Sequence, residues 1–382
     1  MMEWKWSFKM KQYLVNNVLP FWLDNSIDEE CGGIFTQLDR EGKIYGTEKS
    51  VWFQGRALYI FSVCYNEVEK NERYLSAARK IYEFLPKCTR EDGRMYFTVT
   101  REGKELQMRR YYFSETFAAI GCAEYYLATG DENAKKKAEQ YFETAYSIYS
   151  GRVKTQPKFN GENAPYKALS PAMIMLATCQ VMRKLDKEKY NKIALETIPE
   201  ILSHWTEKGL LENVGLNGEF IDTPTGRIVN PGHSLECAWF LMAEGIYQKN
   251  DELCRIAKDI IDISMKLGLY DGGIIAFCDC DGKPASALEW DMKLWWPQCE
   301  AMIANRLCYE IFKEEKYLEN FNSLKKYTEE HFEDKEHGEW YGYLHYDGSP
   351  SHTLKGNIFK GPFHLPRMLM LIDKIENGKS LI

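Results

Sequence analysis

Pairs of glycines recur along the chain at a regular interval, and they constrain its fold more than any other feature. In each pair the second glycine follows the first by nine or ten residues, with aliphatic or aromatic residues alternating between them. The pairs are 33–42, 93–103, 151–161, 209–218, 273–282 and 338–348, the third being the most polar. The first glycines lie about 61 residues apart, the distance from 33 to 338 divided by five. A fixed period of this length is the signature of a repeat architecture.

Between these glycine-bounded segments, which we call arms, the hydrophobic period changes from 2 to 3.6. Residues 58–65, 74–84 and 135–149 show this helical pattern. Each unit therefore holds a short arm and two helices. Six such units predict an all-α fold, an (α/α)6 barrel of helix-hairpin repeats with short β-hairpin arms between them. An open helical solenoid is the alternative. Because closure lets every unit bury its helices against two neighbours, we expect residues 1–382 to form one catalytic domain.

Composition excludes several classes of function. The formal charge of −7 argues against a partner that is nucleic acid or an anionic membrane. The chain contains no run of about 18 apolar residues, as a membrane span would need, and its first ten residues do not resemble a signal peptide. The 11 cysteines are scattered and odd in number. We interpret them as reduced thiols and expect a cytoplasmic protein.

Polar residues recur at one position within the units. Counted from the first glycine of each arm, they follow at 22 to 27 residues: Arg56, Glu115, His233, Glu300 and His364. In a closed barrel equivalent positions lie at one height, so we expect these side chains to converge on one mouth, where the inner helices begin. The third unit carries Met173 and Met175 there and is expected to form a wall or an opening.

Two histidines at helix starts suit proton transfer. The partial positive charge of a helix N-terminus favours neutral imidazole, the form that accepts a proton. His233 and His364 across a pocket would therefore act as general acid and base. Taken alone, the His-x-x-Glu spacing of His233 and Glu236 is typical of a helix-surface hydrogen bond, and only the shared position favours catalysis. Neither His-Glu-x-x-His nor clustered Cys and His is present, so no metal site is predicted.

Several sequence blocks resemble one known family, in order and nearly end to end. They read PFWLD (20–24), VWFQGR (51–56), FSET (113–116), NPGHSLECAWF (230–240), EWDMKLWWPQCEAM (289–302), EHGEWYGYL (336–344) and KGPFHLPR (360–367). These blocks are similar to the N-acylglucosamine 2-epimerase family, which includes the animal renin-binding proteins. The resemblance implies an (α/α)6 barrel and an isomerase that reversibly interconverts N-acetylglucosamine and N-acetylmannosamine.

The resemblance also implies residue roles. His233 and His364 would remove and return the proton at carbon 2 of the open-chain sugar. Arg56 would stabilise the charge that develops on oxygen 1, and Arg367 would help to hold the substrate. Glu236 and Glu300 would orient the imidazoles or bind hydroxyls. Three aromatic residues are expected to pack against the sugar: Trp52, Tyr111 and Trp296.

Other functions remain as alternatives. Cellobiose 2-epimerases and mannose isomerases share the barrel and two histidines, but their last motif resembles Pro-Tyr-His-Asn. Here residues 363–367 read FHLPR, and Arg367 favours an N-acetyl amino sugar. An inverting glycoside hydrolase would need two carboxylates, for which Glu115 and Glu300 are the candidates. A non-catalytic binding protein is the remaining alternative.

The resemblance implies no required cofactor. Some relatives are activated by ATP without consuming it, but Gly378-Lys379-Ser380 lacks the glycine of a Walker motif, since Asp373 stands at its place. The polar segment 151–165, which contains the third arm with Lys154 and Lys158, is interpreted as a solvated loop, with nucleotide binding as the alternative. The family suggests a homodimer, and a role in sialic-acid synthesis or amino-sugar salvage.

Overall fold

The computed structural model describes residues 6–159 and 162–381. Within them thirteen α-helices follow one another along the chain. They are α1 (Trp6–Tyr13), α2 (Leu19–Asn25), α3 (Val51–Glu67), α4 (Glu72–Phe84), α5 (Phe113–Thr129), α6 (Glu132–Tyr149), α7 (Ser170–Met182), α8 (Lys187–Leu202), α9 (Pro231–Gln248), α10 (Asp251–Gly268), α11 (Trp295–Phe312), α12 (Glu315–His331) and α13 (His364–Glu376). A π-helical turn, Leu14–Val18, joins α1 to α2, and a 3₁₀ turn, Leu85–Cys88, follows α4.

Six inner helices, α3, α5, α7, α9, α11 and α13, form a ring in which each packs on the next. The outer helices α4, α6, α8, α10 and α12 each pack on the inner helix before them, and α1 packs on α13. Side chains close the ring between α13 and α3: Lys374 Nζ lies 2.6 Å from Glu67 Oε2, and Met370 Sδ lies 3.5 Å from Cys64 Sγ. An open solenoid would leave two free ends, so the predicted closed barrel is confirmed.

Inner and outer helices differ in sequence because they differ in surroundings. Residues 114–125 of the inner helix α5 are all buried, as expected of a helix that packs on every side. The outer helices instead have one buried face, and four begin with a side-chain cap from Asn71, Asp131, Asp186 or Asn250. No helix among the described residues has both the length and the apolar composition that a membrane span requires.

Short strands connect the units at one end of the barrel. They are β1 (Gln37–Leu38), β2 (Ile44–Gly46), β3 (Lys49–Ser50), β4 (Thr98–Val99), β5 (Glu105–Gln107), β6 (Tyr166–Ala168), β7 (Trp205–Thr206), β8 (Gly209–Leu210), β9 (Asn213–Gly215), β10 (Ile228–Val229), β11 (Leu269–Tyr270), β12 (Gly273–Ile274), β13 (Cys278–Asp279), β14 (Met292–Leu294) and β15 (Tyr343–His345). The pairs β3–β4, β6–β9, β10–β13 and β14–β15 are antiparallel and join a strand that precedes an inner helix to the next arm.

The arms pair partly within themselves, as the predicted short β-hairpins would, and partly with the neighbouring unit. Local antiparallel pairs do occur, namely β1–β2, β4–β5, β7–β8 and β11–β12. The described part of the third arm, residues 151–159, contains no strand. Strands of two or three residues are unstable alone, and pairing with the neighbouring unit supplies the missing hydrogen bonds. A bridge between Leu38 and Gly356 links the last unit to the first.

The second glycine of an arm closes a tight turn. In the five arms where it is described, its φ lies between +73° and +99° and its amide donates to the carbonyl three residues earlier: Gly42, Gly103, Gly218, Gly282 and Gly348. A left-handed conformation of this kind favours glycine, because a Cβ would be strained there. The repeat in the sequence is thus a repeat of turn geometry. Gly161, its predicted counterpart in the third arm, lies outside the described residues.

Gly55→Ala is expected to destabilise the barrel, because α3 and α5 cross closely at this residue. A Cβ on Gly55 would lie 2.5 Å from the backbone carbon of Phe117, and one on Gly121 would lie 2.7 Å from the oxygen of Gly55. We expect a loss of about 1–3 kcal/mol in the free energy of unfolding, measured by urea titration. Gln140→Ala is the control, since Gln140 is an exposed residue of α6. A loss at Gly55 no larger than the loss at Gln140 would contradict this account.

Candidate active site

A cavity of about 870 Å³ opens where the inner helices begin. The first turn of every inner helix borders it, through Trp52, Phe113, Ser170, His233, Trp295 and His364. All six inner helices therefore start at the same end of the barrel. Eight of the nine predicted site residues line this cavity: His233, His364, Arg56, Glu236, Arg367, Trp52, Tyr111 and Trp296. The other five histidines of the sequence do not line it.

His364, the first residue of α13, is held by a buried carboxylate. Its Nδ1 lies 2.7 Å from Glu300 Oε1. Because an ionised carboxylate only accepts hydrogen bonds, Nδ1 carries the hydrogen, and Nε2 is left with a lone pair. Burial lowers the pKa of His364 well below its usual value, and the positive charges of Arg367 and Arg56 lower it further. His364 is therefore neutral at neutral pH and able to accept a proton.

His233, in the first turn of α9, is held by a different carboxylate. Its Nδ1 lies 2.8 Å from Glu212 Oε1, and its backbone amide donates to the capping Asn230 side chain at 3.0 Å. Burial alone would lower the pKa of His233, but the carboxylates of Glu212 and Glu236 outweigh it, and the pKa is raised. The shift in this pKa is therefore opposite in direction to the one predicted from the helix N-terminus. A full negative charge at 2.8 Å outweighs the partial positive charge of a helix terminus.

Glu212 is the functional residue that the sequence reasoning missed. It lies between β8 and β9 in the fourth arm, where it is buried and lines the cavity. The sequence contained a signal: a single carboxylate stands in the otherwise uncharged stretch from Gly209 to Gly218. Buried carboxylates need a partner, and the partner here is His233.

Glu300 lies behind the cavity rather than in its lining. Its Oε1 accepts from His364 and, at 2.8 Å, from Nη2 of Arg367, while Oε2 accepts from the Trp239 indole at 2.8 Å. Glu300 is thus placed to orient His364, one of the two roles expected of it. Glu236 does not bond to His233; it accepts a hydrogen bond from Nη2 of Arg367.

The same cluster is the one group of potential metal ligands among the described residues. Donor atoms of Glu236, Glu300 and His364 all lie within 4.8 Å of one another. The guanidinium of Arg367 is hydrogen-bonded to both carboxylates. A metal ion would have to displace this guanidinium, so the donor set fits the arginine better than it fits a metal ion.

Arg56 is a buried cation without an anionic partner. It is 9% exposed, lines the cavity, and makes no ion pair or hydrogen bond with the described residues. Its guanidinium carbon lies 4.1 Å from the ring centre of Phe117 and 4.8 Å from that of Phe363. Burial lowers its pKa to about 9, which still leaves it protonated at neutral pH. Such a group is placed to receive negative charge that forms in the cavity.

Aromatic rings form the walls around these groups. The indole of Trp296 lies 5.0 Å from the ring of His233 and 5.6 Å from that of His364, measured between centroids. Both imidazoles therefore pack on one indole and face the same region of the cavity. On the opposite side Trp52 lies 6.1 Å from Tyr111.

Glu115 does not join the site, which corrects the prediction that five side chains converge. Its Oε1 accepts from Arg94 Nε at 2.6 Å and from the amide of Met95 at 3.0 Å. Arg94 in turn donates to the carbonyl of Tyr111 at 3.2 Å. Glu115 therefore supports the segment that carries Tyr111 from outside the cavity.

The third unit forms both a wall and part of the rim. Met173 lines the cavity, whereas Met175 is buried away from it. Residues 155–159 of the third arm border the mouth, and Lys158 Nζ lies 3.4 Å from Asn213 Oδ1. The interpretation as a solvated loop fits, since Gln156, Pro157 and Lys158 are exposed like Lys154, although the loop also borders the cavity.

Comparisons with known proteins agree with this geometry. The model of the N-acylglucosamine 2-epimerase family matches residues 33–361. The N-acylglucosamine 2-epimerase of Mus musculus is 34% identical, with 97% of this chain and 91% of that protein covered. The cellobiose 2-epimerase of Dictyoglomus turgidum is 23% identical, with 95% and 97% covered. The solved cellobiose 2-epimerase from Bacillus thermoamylovorans superposes with a TM-score of 0.85 at 22% identity, covering 96% of this chain and 98% of that one. This chain therefore belongs to the N-acylglucosamine 2-epimerase family.

Proposed function

We propose that this chain is an N-acylglucosamine 2-epimerase, which interconverts N-acetyl-D-glucosamine and N-acetyl-D-mannosamine. The observation that carries the proposal is a pair of histidines, each held by its own carboxylate, facing one cavity beside the unpaired guanidinium of Arg56. The higher identity to an N-acylglucosamine 2-epimerase than to a cellobiose 2-epimerase supports the amino-sugar substrate.

The reaction inverts carbon 2 of the open-chain sugar by two proton transfers, one on each face of that carbon. In one direction neutral His364 takes the proton from carbon 2 through Nε2, and the electron pair moves into an enolate whose charge on oxygen 1 faces Arg56. Protonated His233 then returns a proton to the opposite face of the carbon. After the reaction His364 is protonated and His233 is neutral. In the reverse reaction His233 is the base and His364 is the acid.

The remaining groups position these three. Glu300 and Glu212 hold the Nδ1 hydrogens of the two imidazoles, so that each Nε2 is available for the substrate. Arg367 neutralises Glu236 and Glu300 and helps to hold the substrate, while Trp52, Tyr111 and Trp296 pack against the apolar faces of the sugar.

We further propose one catalytic domain over 1–382, no required cofactor, ATP as a candidate activator, and a cytoplasmic homodimer.

The test is NMR of the purified protein with N-acetylmannosamine and, separately, with mannose and cellobiose in deuterated water. We expect N-acetylglucosamine to appear from the first substrate, with deuterium at carbon 2. Conversion of cellobiose or mannose alone would transfer the chain to the alternative substrates. Product without deuterium would exclude the enolate route.

An inverting glycoside hydrolase is not favoured by the site. That reaction requires two carboxylates on opposite sides of the bound substrate, about 6.5–9.5 Å apart. Neither of its candidates, Glu115 and Glu300, lines the cavity. A non-catalytic binding protein would not need two oriented imidazoles.

The pH dependence of kcat/KM is expected to form a broad bell that is the same in both directions. Each direction requires one proton on the histidine pair, so both depend on the same two ionisations. The acid limb reflects protonation of His364, whose pKa is lowered by burial and by Arg367. The alkaline limb reflects deprotonation of His233, whose pKa is raised by Glu212 against the effect of burial.

Glu212→Gln should move only the alkaline limb. Without the carboxylate the pKa of His233 falls, so activity is lost at lower pH than in the wild type, and kcat/KM at pH 8 drops about tenfold or more. Glu219→Gln is the matched control, because Glu219 lies next to the fourth arm and does not line the cavity. An unmoved alkaline limb in Glu212→Gln would show that this carboxylate does not set the ionisation of His233.

A further inference from the structure

The cavity reaches well below the two histidines along one wall of the barrel. On α7 its lining runs from Ser170 in the first turn to Val181 in the last, a descent of about 16 Å at 1.5 Å per residue. On α11, by contrast, the lining stops at Trp295 and Trp296. α7 belongs to the unit that lacks a charged residue or histidine at the shared position, and its small side chains, such as Ala177, leave room beside the axis.

This lower region, which we call the floor, is apolar. Its lining on three inner helices and the C-terminal segment consists of Ile120, Ile174, Ala177, Val181, Leu371 and Leu381, with the ring of Tyr59 across from them. Two polar side chains of α7 also border it, but both are engaged. The Thr178 hydroxyl donates to the Ile174 carbonyl at 2.7 Å, and the Gln180 amide donates to the Phe240 carbonyl at 2.9 Å.

The floor begins one helical turn below the groups that act on the substrate. Leu371 follows Arg367 by four residues on α13, which places it one turn deeper on the same face. Ile120 follows Phe117 by three residues on α5, and the Phe117 ring lies 4.1 Å from the Arg56 guanidinium. The floor therefore begins one helical turn, about 5 Å, below the level of Arg367 and Phe117.

We propose that the floor receives the N-acyl group of the substrate and that the protein accepts acyl groups longer than acetyl. This inference rests on the proposed function. The hydroxyl-bearing carbons 3 to 6 would lose hydrogen bonds in an apolar region, whereas the mouth above offers charged side chains and water. The alkyl carbons of an acyl chain have no hydrogen bonds to lose there and gain from burial. The sugar is thus oriented with its polar tail toward the mouth and its acyl chain downward.

The test compares D-mannosamines carrying N-acetyl, N-propanoyl, N-butanoyl and N-pentanoyl groups as substrates, with epimerisation followed by NMR. For the wild type we expect kcat/KM from acetyl to butanoyl to be retained within about threefold, or to rise by up to about fourfold per methylene. A fall in kcat/KM of more than about threefold from acetyl to butanoyl would overturn the proposal. Absence of turnover with N-acetylmannosamine itself would instead refute the proposed function.

Two variants of α7 locate the acyl group. Ala177→Leu fills the floor and should lower the ratio of butanoyl to acetyl kcat/KM at least tenfold. Val181→Ala, which removes volume one turn deeper and introduces no clash, should raise the ratio of pentanoyl to acetyl kcat/KM about threefold. Val153→Ala is the matched control, because Val153 is 49% exposed and does not line the cavity. Equal effects on all chain lengths in both variants would overturn the proposal.

Discussion

Replacing either His364 or His233 by alanine is expected to lower kcat/KM for epimerisation by about a thousandfold, with no loss of secondary structure. Each imidazole supplies one of the two proton transfers, and positioned general acids or bases contribute about 10²–10⁴ in rate. The fold should persist because both side chains face the cavity rather than the packed core. The measurements are kcat/KM by NMR and the far-ultraviolet circular dichroism of each variant.

Proton exchange makes this test sharper than loss of turnover. A variant that keeps one base can still exchange the carbon 2 proton of the epimer whose proton faces that base. We therefore expect each single variant to incorporate deuterium into only one of the two epimers, and the two variants to choose opposite epimers. His345→Ala is the control, since His345 is exposed and lies outside the cavity. Exchange of both epimers in one variant would show that a single base serves both faces.

The ring of six units could be predicted from the sequence because its turns need glycine. The left-handed φ at residues such as Gly103 and Gly348 leaves a periodic mark that remains where the side chains around it differ. The height of the candidate catalytic groups could be predicted for the same reason, since His233 and His364 both lie in the first turn of an inner helix.

The directions in which side chains point, and their hydrogen-bond partners, could not be predicted from the glycine repeat. Each residue of a helix turns by about 100°, so offsets of 22 to 27 residues from a glycine fix a height but not a direction. Glu115 shares the height of the site and points out of it, toward Arg94. The partners of the histidines are 21 and 64 residues away along the chain and meet them only through the packing of neighbouring elements.

The two arginines of the cavity are expected to respond oppositely to the same substitution. Arg367→Met leaves the buried carboxylates of Glu236 and Glu300 without a cation. Breaking a buried ion pair from one side costs about 3–5 kcal/mol of unfolding free energy. Arg56→Met instead removes a buried charge that has no anionic partner among the described residues, so no carboxylate is left uncompensated.

Arg56→Met is therefore expected to keep the unfolding free energy within about 1 kcal/mol of the wild type, or to raise it, while kcat/KM falls about 10²–10³-fold. The contacts of its guanidinium with the rings of Phe117 and Phe363 contribute about 0.5–2 kcal/mol, whereas burying an unpaired ion costs several. The activity falls because oxygen 1 loses its positive partner when the enolate forms. The measurements are urea unfolding and kcat/KM of both methionine variants. If Arg56→Met is destabilised as strongly as Arg367→Met, the role of the Arg56 guanidinium is to stabilise the packing of the aromatic side chains around it. If stability is kept and activity lost, the barrel tolerates an uncompensated charge at this point because the reaction supplies its counterion.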